Sequence, residues 1–458
     1  MPVAQRTPEP LPSVAERKQD GHDLRKTVPR GSHAEWHPPP TRRDPVEVLI
    51  DSGRHRIPAL LPIRYARMRT SPFTFLRGAA AIMAADLANT PTSGLFVQAC
   101  GDCHLMNFGA YASPEGTPVF DTNDFDETLP APFEWDIKRL ATSFAVAARS
   151  QGMAEKTCRN LARSVTLAYR MHMAELIKLA PLDIWRNRID LLEALASIEN
   201  PKLREREGKR LHGAVESSRR GYPRIIERTR DGLRIREKPP LIFRLGTQHD
   251  ELHEMAARTA FESYKKTLSE ERHRLLDRYR LVDVAFKVVG IGSVGTFCAL
   301  GLFATPDEDT LLLQIKEAQD SVLAPYAGPS AYKNQGERVV VGQRMMQAVA
   351  DAFLGWTRDK QDDRHCYVRL LKDSRLAAVG LDLEEELLPY YAQLCGRTLA
   401  RAHARSGDPA RIVGYMGSGG AFDSAIADFA LAYADQTDRD WRLFNDAIKT
   451  GWIEASAE

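Results

Sequence analysis

Apolar and polar positions divide the chain into stretches with helical and strand-like periods. Apolar residues recur at helical spacing from Phe73 to Asn89, and Thr90-Pro91 ends this stretch before a short apolar run, Leu95 to Ala99, that has the length of a buried strand. A second helical pattern begins at Ile137, directly after Asp136. The patterns therefore predict a helix, a strand and another helix around one polar segment.

The period of the apolar positions changes at residue 282. Val282 to Val289 and Thr296 to Phe303 have the composition of strands, and the glycine-rich segment Gly290 to Gly295 separates them. A third strand is predicted from Leu311 to Lys316, which puts a lysine at its end, and a fourth from Cys366 to Leu371. This part of the chain should therefore form a small β-rich unit.

Helical patterns cover most of the remaining chain. The charged region from Met153 to about Arg280 is predicted to be helical with proline breaks, and a methionine-rich helix is expected from Glu337 to Leu354. The segment from Leu383 to Ala447 is also predicted to be helical, with Tyr390 to Arg405 as its most regular part. Strands and helices occur in separate regions, which indicates an α+β fold.

Composition excludes some classes of partner. The 458 residues suffice for two or three domains with their own cores. Lys and Arg number 63 against 61 Asp and Glu, and the formal net charge of +2 argues against a nucleic-acid partner. The chain has neither an apolar run of about eighteen residues nor the apolar core of a signal peptide, so we expect no membrane partner and a cytoplasmic location.

Two further features follow from composition. Residues 1–45 contain nine prolines and few large apolar side chains, which predicts a disordered or wrapping N-terminal arm. The six cysteines are expected to be free thiols. Cys100 and Cys103 form a C-x-x-C pair, but no second cysteine or histidine pair accompanies them to complete a zinc site.

The densest group of polar residues lies between residues 99 and 127. Its members are Asp102, His104, Asn107, Asp121, Asp124, Asp126 and Glu127. Five carboxylates are costly to bury unless a cation neutralises them, so the group indicates a metal and proton-transfer site. Asp and Asn are also common turn formers, and a capped loop explains any one of these residues alone. A metallophosphoesterase site is a further alternative, although the chain lacks the additional histidine motifs of that class.

The spacing of this group resembles a known catalytic loop. Gly101-Asp-x-His-x-x-Asn107, with Asp121 at the end of a short apolar strand, is similar to the loops of aminoglycoside phosphotransferases and their protein-kinase-like relatives. The resemblance implies that Asp102 accepts the proton of the attacking hydroxyl and that Asn107 and Asp121 bind Mg²⁺. It also lets His104 orient the base or the acceptor, although a loop histidine that caps backbone groups is an alternative.

Three other aspartates receive roles from the same resemblance. Asp124 and Asp126 would hold a second ion or orient the first. Asp136, at the start of the predicted helix, would brace the catalytic loop from beneath. A favourable interaction with the helix dipole is an equally simple explanation for Asp136.

The glycine segment points to a phosphate site. A dinucleotide-binding fingerprint must open a helix, whereas this glycine turn is followed by a strand. Strand, glycine turn and strand in this order resemble the hairpin that covers the phosphates in kinases. The resemblance implies that Gly290, Gly292, Ser293 and Gly295 lie over the phosphates of ATP or another nucleoside triphosphate.

Two further positions would complete a nucleotide site. Lys316, at the end of an apolar strand, needs an anionic partner, which the α- and β-phosphates would supply; an edge lysine that reaches solvent is the alternative. In kinases a glutamate pairs with this lysine. The candidates for the corresponding partner here are Glu317, Glu337 and Gln343. The segment from Leu370 to Asp373, with Leu371 as the candidate contact, would form the hinge that hydrogen-bonds an adenine through its backbone.

Nearly the whole chain, from about residue 25 to 450, also resembles the bacterial domain-of-unknown-function 2252 family. The stretches that carry this resemblance are Arg67–Phe73, Gly101–Gly109, Phe120–Glu127, Gly342–Gln347 and Ala402–Asp408. The family name brings no activity with it, and the more distant kinase-like resemblance has to supply one.

The kinase-like resemblance requires a changed order of segments. In kinases the glycine hairpin and lysine precede the catalytic loop, whereas here they follow it, so the fold class expected is a circularly permuted, two-lobed α+β fold. Residues 46–280 and 381–458 would form a helical lobe, and residues 281–375 a small antiparallel β lobe docked over it. The expected function is an ATP- and Mg²⁺-dependent phosphotransferase acting on a small-molecule or protein hydroxyl. Nucleotidyl transfer in the same cleft and a nucleotide-binding pseudokinase are the alternatives.

Overall fold

The computed structural model describes residues 11–113, 117–218, 222, 224–230, 232–244, 248–288, 290–359, 363–371 and 384–456. Helices and antiparallel strands both occur in the described part of the chain, which confirms the α+β class. Among the described residues, no helix combines the length and the apolar character needed to cross a membrane.

The helices and strands have the following bounds. The helices are α1 (Val14–Asp23), α2 (Pro45–Gly53), α3 (Leu61–Met68), α4 (Pro72–Gly78), α5 (Ala80–Leu87), α6 (Phe133–Ser150), α7 (Glu155–Leu176), α8 (Pro181–Arg186), α9 (Leu191–Ala196), α10 (Pro201–Ser218), α11 (Gln248–Tyr264), α12 (Glu270–Leu276), α13 (Ala324–Ala327), α14 (Gln335–Met346), α15 (Leu388–Ser406), α16 (Pro409–Met416) and α17 (Ala421–Lys449). The strands are β1 (Phe96–Ala99), β2 (Phe108–Ala112), β3 (Pro118–Thr122), β4 (Leu129–Pro132), β5 (Ile189–Asp190), β6 (Ile226–Thr229), β7 (Gly232–Ile235), β8 (Ile242–Phe243), β9 (Arg280–Lys287), β10 (Cys298–Ala304), β11 (Thr310–Glu317), β12 (Gly355–Arg358) and β13 (His365–Leu370).

The main core is formed by α6, α7, α15 and α17. Every residue of α6 from Phe133 to Ala148 is buried, because α7 and α17 both pack against this helix. Phe133 stacks on Tyr169 of α7 and on Phe422 of α17. Burial of so many apolar side chains in one place is the main favourable contribution to the stability of this part of the fold.

Two small sheets support the acidic segment. β1 pairs with β4, and β2 pairs with β3, so that Gly109 lies opposite Asp121. The loop from 100 to 107 joins β1 to β2, and the loop from 123 to 128 joins β3 to β4. The pairing therefore places these two loops, which contain most of the predicted site residues, side by side.

A six-stranded antiparallel sheet forms the β-rich unit, in the order β12-β13-β11-β10-β9-β8. α11 packs on one face, where Phe261 contacts Phe303. The hairpin of β6 and β7 lies over the other face and buries Leu300 and Leu312. Both faces of the sheet are thus covered.

The described residues before α2 wrap around the helical core. α1 packs on α16, and the guanidinium groups of Arg25 and Arg30 donate hydrogen bonds to the carbonyls of Tyr415 and Met416 at the end of α16. These bonds satisfy carbonyl groups that have no partner within the helix. Residues 1–10 lie outside the described residues.

Three predicted elements need correction. The helix expected over residues 73–89 is broken at Ala79 into α4 and α5, and Arg64 accordingly donates a 2.7 Å hydrogen bond to the Gly78 carbonyl. The helix expected over residues 337–354 ends at Met346, because the next residues bond to the strand β3 instead. The region 153–280 contains the strands β5 to β8 besides its helices, so the prediction of an all-helical insertion was wrong.

Candidate active site

The loop after β1 is held by a carboxylate beneath it. Asp136, in the first turn of α6, accepts hydrogen bonds from the backbone amides of Cys100 at 2.6 Å and Gly101 at 3.1 Å. Gly101 has a φ of +79°, and a Cβ atom there would lie 2.4 Å from the Glu127 carbonyl oxygen, so only glycine fits. The brace expected of Asp136 is present in the structure.

The two carboxylate oxygens of Asp102 have different surroundings. Its Oδ1 accepts a 2.8 Å hydrogen bond from Nε of Arg139, which is buried in α6. Its Oδ2 lies 3.8 Å from Nε2 of His104. Burial lowers the pKa of His104 to about 3, so this imidazole is neutral and does not form an ion pair with Asp102.

Asn107 and Asp121 have structural partners. The Asn107 amide donates a 2.7 Å hydrogen bond to the Asp102 carbonyl, which fixes the loop. Asp121 is 1% exposed and forms an ion pair with the buried Arg401, and it accepts hydrogen bonds from the backbone amides of Thr122 and Ala348, each at 2.9 Å. Both Asp121 oxygens thus have protein partners, and Asp121 is not among the described residues that line the cavity around Asp102. Its role as a metal ligand stays a prediction.

The loop between β3 and β4 supplies the carboxylates that face open space. Asp124 has a buried Oδ1 without a hydrogen-bond partner among the described residues. Glu127 accepts a 2.7 Å hydrogen bond from the Val322 amide. Burial, together with the negative charges of Asp102 and Asp126, raises the pKa of Glu127 to about 7.

Lys316 and Asp126 join the β-rich unit to this loop. The Lys316 ammonium lies 2.5 Å from Oδ2 of Asp126, and the hydroxyl of Tyr367 on the neighbouring strand donates to Oδ1. Burial opposes both charges, but their attraction outweighs it and holds the pKa of Asp126 below its usual value and the pKa of Lys316 above its own. The partner of the lysine is thus Asp126, and none of the three residues considered from the sequence.

The glycine turn reaches the same loop. A Cβ atom built on Gly292 would lie 3.8 Å from Oδ2 of Asp102. Gly295 has a φ of +92° and contacts Arg56, whose guanidinium donates a 2.6 Å hydrogen bond to the Val294 carbonyl. Gly290 has open space around it, and the side chain of Ser293 lies outside the described residues.

One cavity, open to solvent, connects the loop carboxylates, Gly292 and the neighbouring arginines. Its walls contain Asp102, Asp124, Asp126, Glu127, Glu317, Gly292, Arg56, Arg64 and Arg77. In the described part of the chain no histidine lines it, which the metallophosphoesterase alternative would require. Five carboxylates and three guanidinium groups therefore face one space.

Leu371 does not offer a free hinge. Its amide donates a 2.9 Å hydrogen bond to Leu312, and its carbonyl accepts a 2.6 Å bond from the hydroxyl of Tyr222. The adjoining apolar surface is covered by the β6–β7 hairpin. Both backbone groups of Leu371 therefore have partners within the protein, and residues 372 and 373 of the predicted hinge lie outside the described residues.

The cavity fits Mg²⁺ only together with an anionic ligand. Among the described residues, the one group of three or more His, Cys, Asp or Glu ligand atoms within 4.8 Å of one another is Cys100, Cys103 and Asp136, whose carboxylate the loop already uses. The cavity carboxylates lie farther apart. Mg²⁺ commonly takes one or two carboxylates, and substrate phosphates and water complete its octahedron. Asp124, with an oxygen that has no partner among the described residues, fits that requirement, and Asp126 would fit it if a phosphate took its place at Lys316.

Residues 56–447 match a family described as "Uncharacterized protein conserved in bacteria (DUF2252)". The chain belongs to the DUF2252 family. All cavity residues except Ser52 lie within the matched part. No curated protein and no solved structure matches the chain, so similarity to other proteins adds no activity to the DUF2252 assignment.

The sequence missed the basic half of this DUF2252 site. Arg56 lies in the bend after α2, Arg64 in α3 and Arg77 in α4, where the sequence shows no motif that separates them from ordinary surface arginines. Only the topology brings them to the acidic loop. The partners Arg139 and Arg401 were missed for the same reason, although an arginine in an otherwise apolar helical stretch is a signal for a buried ion pair.

Proposed function

We propose that this protein is a Mg²⁺-dependent phosphotransferase that moves the terminal phosphoryl group of ATP, or of another nucleoside triphosphate, to a hydroxyl of a small molecule or a protein. The supporting observation is that the glycine turn at Gly292 and the carboxylate of Asp102 lie together in one cavity, although they are far apart in the sequence. The glycine turn and Lys316 suit phosphates, and the carboxylates suit a metal ion and a proton.

In this proposal Asp102 is the general base. Arg139 holds one carboxylate oxygen, so the other is fixed toward the cavity and accepts the proton of the acceptor hydroxyl. The acceptor oxygen forms a new bond to phosphorus, and the bond from phosphorus to the bridging oxygen breaks with its electron pair leaving on the nucleoside diphosphate. His104 stays neutral and supports the loop.

Asp124 and Asp126 are the proposed metal ligands, and Lys316 is the proposed phosphate contact. A Mg²⁺ ion held by these carboxylates would neutralise the charge of the phosphates. Lys316 would exchange Asp126 for a phosphate, since both partners are anions at the same ammonium group. Asn107 acts through the loop, because its amide fixes the Asp102 backbone.

Binding and turnover test the proposal separately. Mg·ATP at a hundred times its Kd should add about 2.7 kcal/mol to the free energy of unfolding, measured as a thermal shift. Lys316→Ala should weaken binding, whereas the exposed Lys449→Ala should not. Asp102→Asn should bind Mg·ATP but lose transfer. Absence of nucleotide binding rejects the proposal, and full transfer by Asp102→Asn leaves only a nucleotide-binding, pseudokinase-like module.

Nucleotidyl transfer is the second candidate, and a neighbouring cavity favours it. This space adjoins the first at Arg56, Thr296 and Glu317 and has apolar walls that include Phe286 and Phe297. A base bound there, away from the occupied Leu371, would reverse the nucleotide relative to kinases. Product masses decide: phosphoryl transfer adds about 80 Da and adenylyl transfer about 329 Da.

A further inference from the structure

We propose that Arg56, Arg64 and Arg77 form an anion subsite, and that the acceptor substrate is a small molecule carrying a phosphate or carboxylate group besides its reactive hydroxyl. The identity of this anion as an acceptor rests on the proposed function. The existence of the subsite rests on the arginines alone.

Arg64 provides the first observation. The residue is 2% exposed, and Nη2 donates a 2.7 Å hydrogen bond to the Gly78 carbonyl. Its Nε and Nη1 are buried and have no hydrogen-bond partner among the described residues, although the side chain lines the cavity. A buried guanidinium with two unused donors is costly, and burial lowers the pKa of Arg64 to about 9. A bound anion would supply the missing acceptors.

Arg77 and Arg56 face the same space. Nε of Arg77 is also buried without a partner in the described part of the chain, and Arg56 bonds only to backbone carbonyls there. Within the described residues, none of the three arginines comes within 4.0 Å of a carboxylate oxygen, although five carboxylates line the cavity with them. Their charges therefore remain available for a ligand, and guanidinium groups match phosphate and carboxylate oxygens.

The position of the arginines favours the acceptor over the nucleotide as the source of the anion. Arg64 and Arg77 both interact electrostatically with Asp102, the proposed base. An acceptor that places its hydroxyl on Asp102 has its remaining groups beside these two arginines. The nucleotide phosphates already have the glycine turn, Lys316 and the metal ligands.

Binding of inorganic phosphate by calorimetry tests the subsite, with Arg64→Gln and Arg77→Gln as variants. Arg54→Gln is the matched control, because Arg54 lies just after α2, is exposed, pairs with Asp51 and does not line the cavity. Phosphate should bind the wild type and Arg54→Gln, and about 10- to 100-fold more weakly to the two cavity variants, as expected for lost charge-assisted hydrogen bonds. Because the buried Arg64 has no carboxylate within 4.0 Å among the described residues and two nitrogen atoms without partners, Arg64→Gln should melt at or above the wild-type temperature without ligand. Arg77→Gln keeps the test valid if Arg64→Gln fails to fold.

A second titration identifies the source of the anion. Phosphate is added to protein saturated with Mg²⁺ and a non-hydrolysable ATP analogue. Undiminished phosphate binding, with unchanged analogue affinity in both arginine variants, supports the acceptor assignment. Competition between phosphate and analogue assigns the arginines to the nucleotide and overturns it. If the analogue does not bind but phosphate binding still depends on Arg64 and Arg77, the phosphotransferase proposal fails while the subsite stands. No phosphate binding to the wild type removes the subsite.

Discussion

Asp121 and Asp124 are three residues apart in the sequence, but the structure gives them different environments. Asp121 is buried against Arg401 and two backbone amides, whereas Asp124 lines the cavity and has an oxygen without a partner among the described residues. From sequence, the strand-end position favoured Asp121 as the ligand. Contacts from α15 and from the segment after α14, both distant in the sequence, occupy the Asp121 oxygens in this structure.

This difference predicts opposite effects of two matched substitutions. Asp121→Asn leaves Arg401 buried without its counter-ion, so the free energy of unfolding should fall by about 3 kcal/mol. Asp124→Asn should leave the melting temperature of the free protein almost unchanged and weaken Mg²⁺-dependent nucleotide binding. Thermal melts with and without Mg·ATP measure both effects. Normal stability of Asp121→Asn together with loss of Mg²⁺ dependence would restore Asp121 as the ligand.

Glu127 makes stability depend on pH. Its pKa of about 7 in the folded state lies above the ordinary value of 4.5, so the folded protein binds an additional proton between these values. The free energy of unfolding should therefore fall as the pH rises through this window. Glu127→Gln lacks the ionisation and should become more stable than the wild type, by about 1–3 kcal/mol, as the pH of metal-free buffer rises from 5 to 8. The exposed Glu385→Gln is the control, and a pH-independent difference between Glu127→Gln and the wild type would contradict the assignment.

The three glycines of the glycine turn differ in whether the structure requires glycine at their positions. Gly295 has a positive φ and lies against Arg56, Gly292 approaches Asp102, and Gly290 has a φ of −62° with open space beside it. The sequence pattern treats these positions alike. The structure indicates that Gly295 fixes the path of the turn and that Gly290 does not.

Gly295→Ala should therefore lower the free energy of unfolding by about 1–2 kcal/mol, because an L-residue is strained at this φ. It should also weaken nucleotide binding, because the glycine turn that is proposed to contact the phosphates would be displaced. Gly290→Ala is the matched control and should change stability by no more than about 0.5 kcal/mol. Urea unfolding measures both changes in the free energy of unfolding. Equal changes for the two substitutions would contradict a specific requirement for glycine at position 295.

Among the helices and strands, the spacing of apolar residues correctly predicted those elements whose formation depends mainly on their own sequence. The three strands that begin near residues 282, 298 and 311 and the helix from Leu388 to Ser406 follow the expected periods closely. The errors occur where tertiary bonds override propensity. The helix α14 ends at Met346 because Gln347 and Ala348 donate hydrogen bonds to Thr122 and Asp121. The sequence around residue 347 contains no signal that predicts these hydrogen bonds.

The molecule as a whole is organised around contact between two distant segments. Residues 101–127 are carried by the small sheets beside the helical core, and residues 290–296 by the six-stranded sheet. Lys316 with Asp126, and Gly292 beside Asp102, join them. From sequence, contact between the two segments was expected because the acidic segment lacked a cation and the glycine turn with Lys316 lacked an anion. The sequence did not identify the arginines that line the same cavity.

A ligand that bridges the two segments should protect both from exchange with solvent. Hydrogen exchange followed by mass spectrometry, with and without Mg·ATP, should show slower exchange of backbone amides in residues 101–107, 123–127 and 290–296. The helix α1, which packs on α16 far along the chain from both, should not change. In Asp124→Asn the protection should be lost from both segments together, because the metal ion is then missing from the bridge. Protection of the glycine turn alone would mean that the nucleotide does not reach Asp102, and the two segments would then meet for stability and not for catalysis.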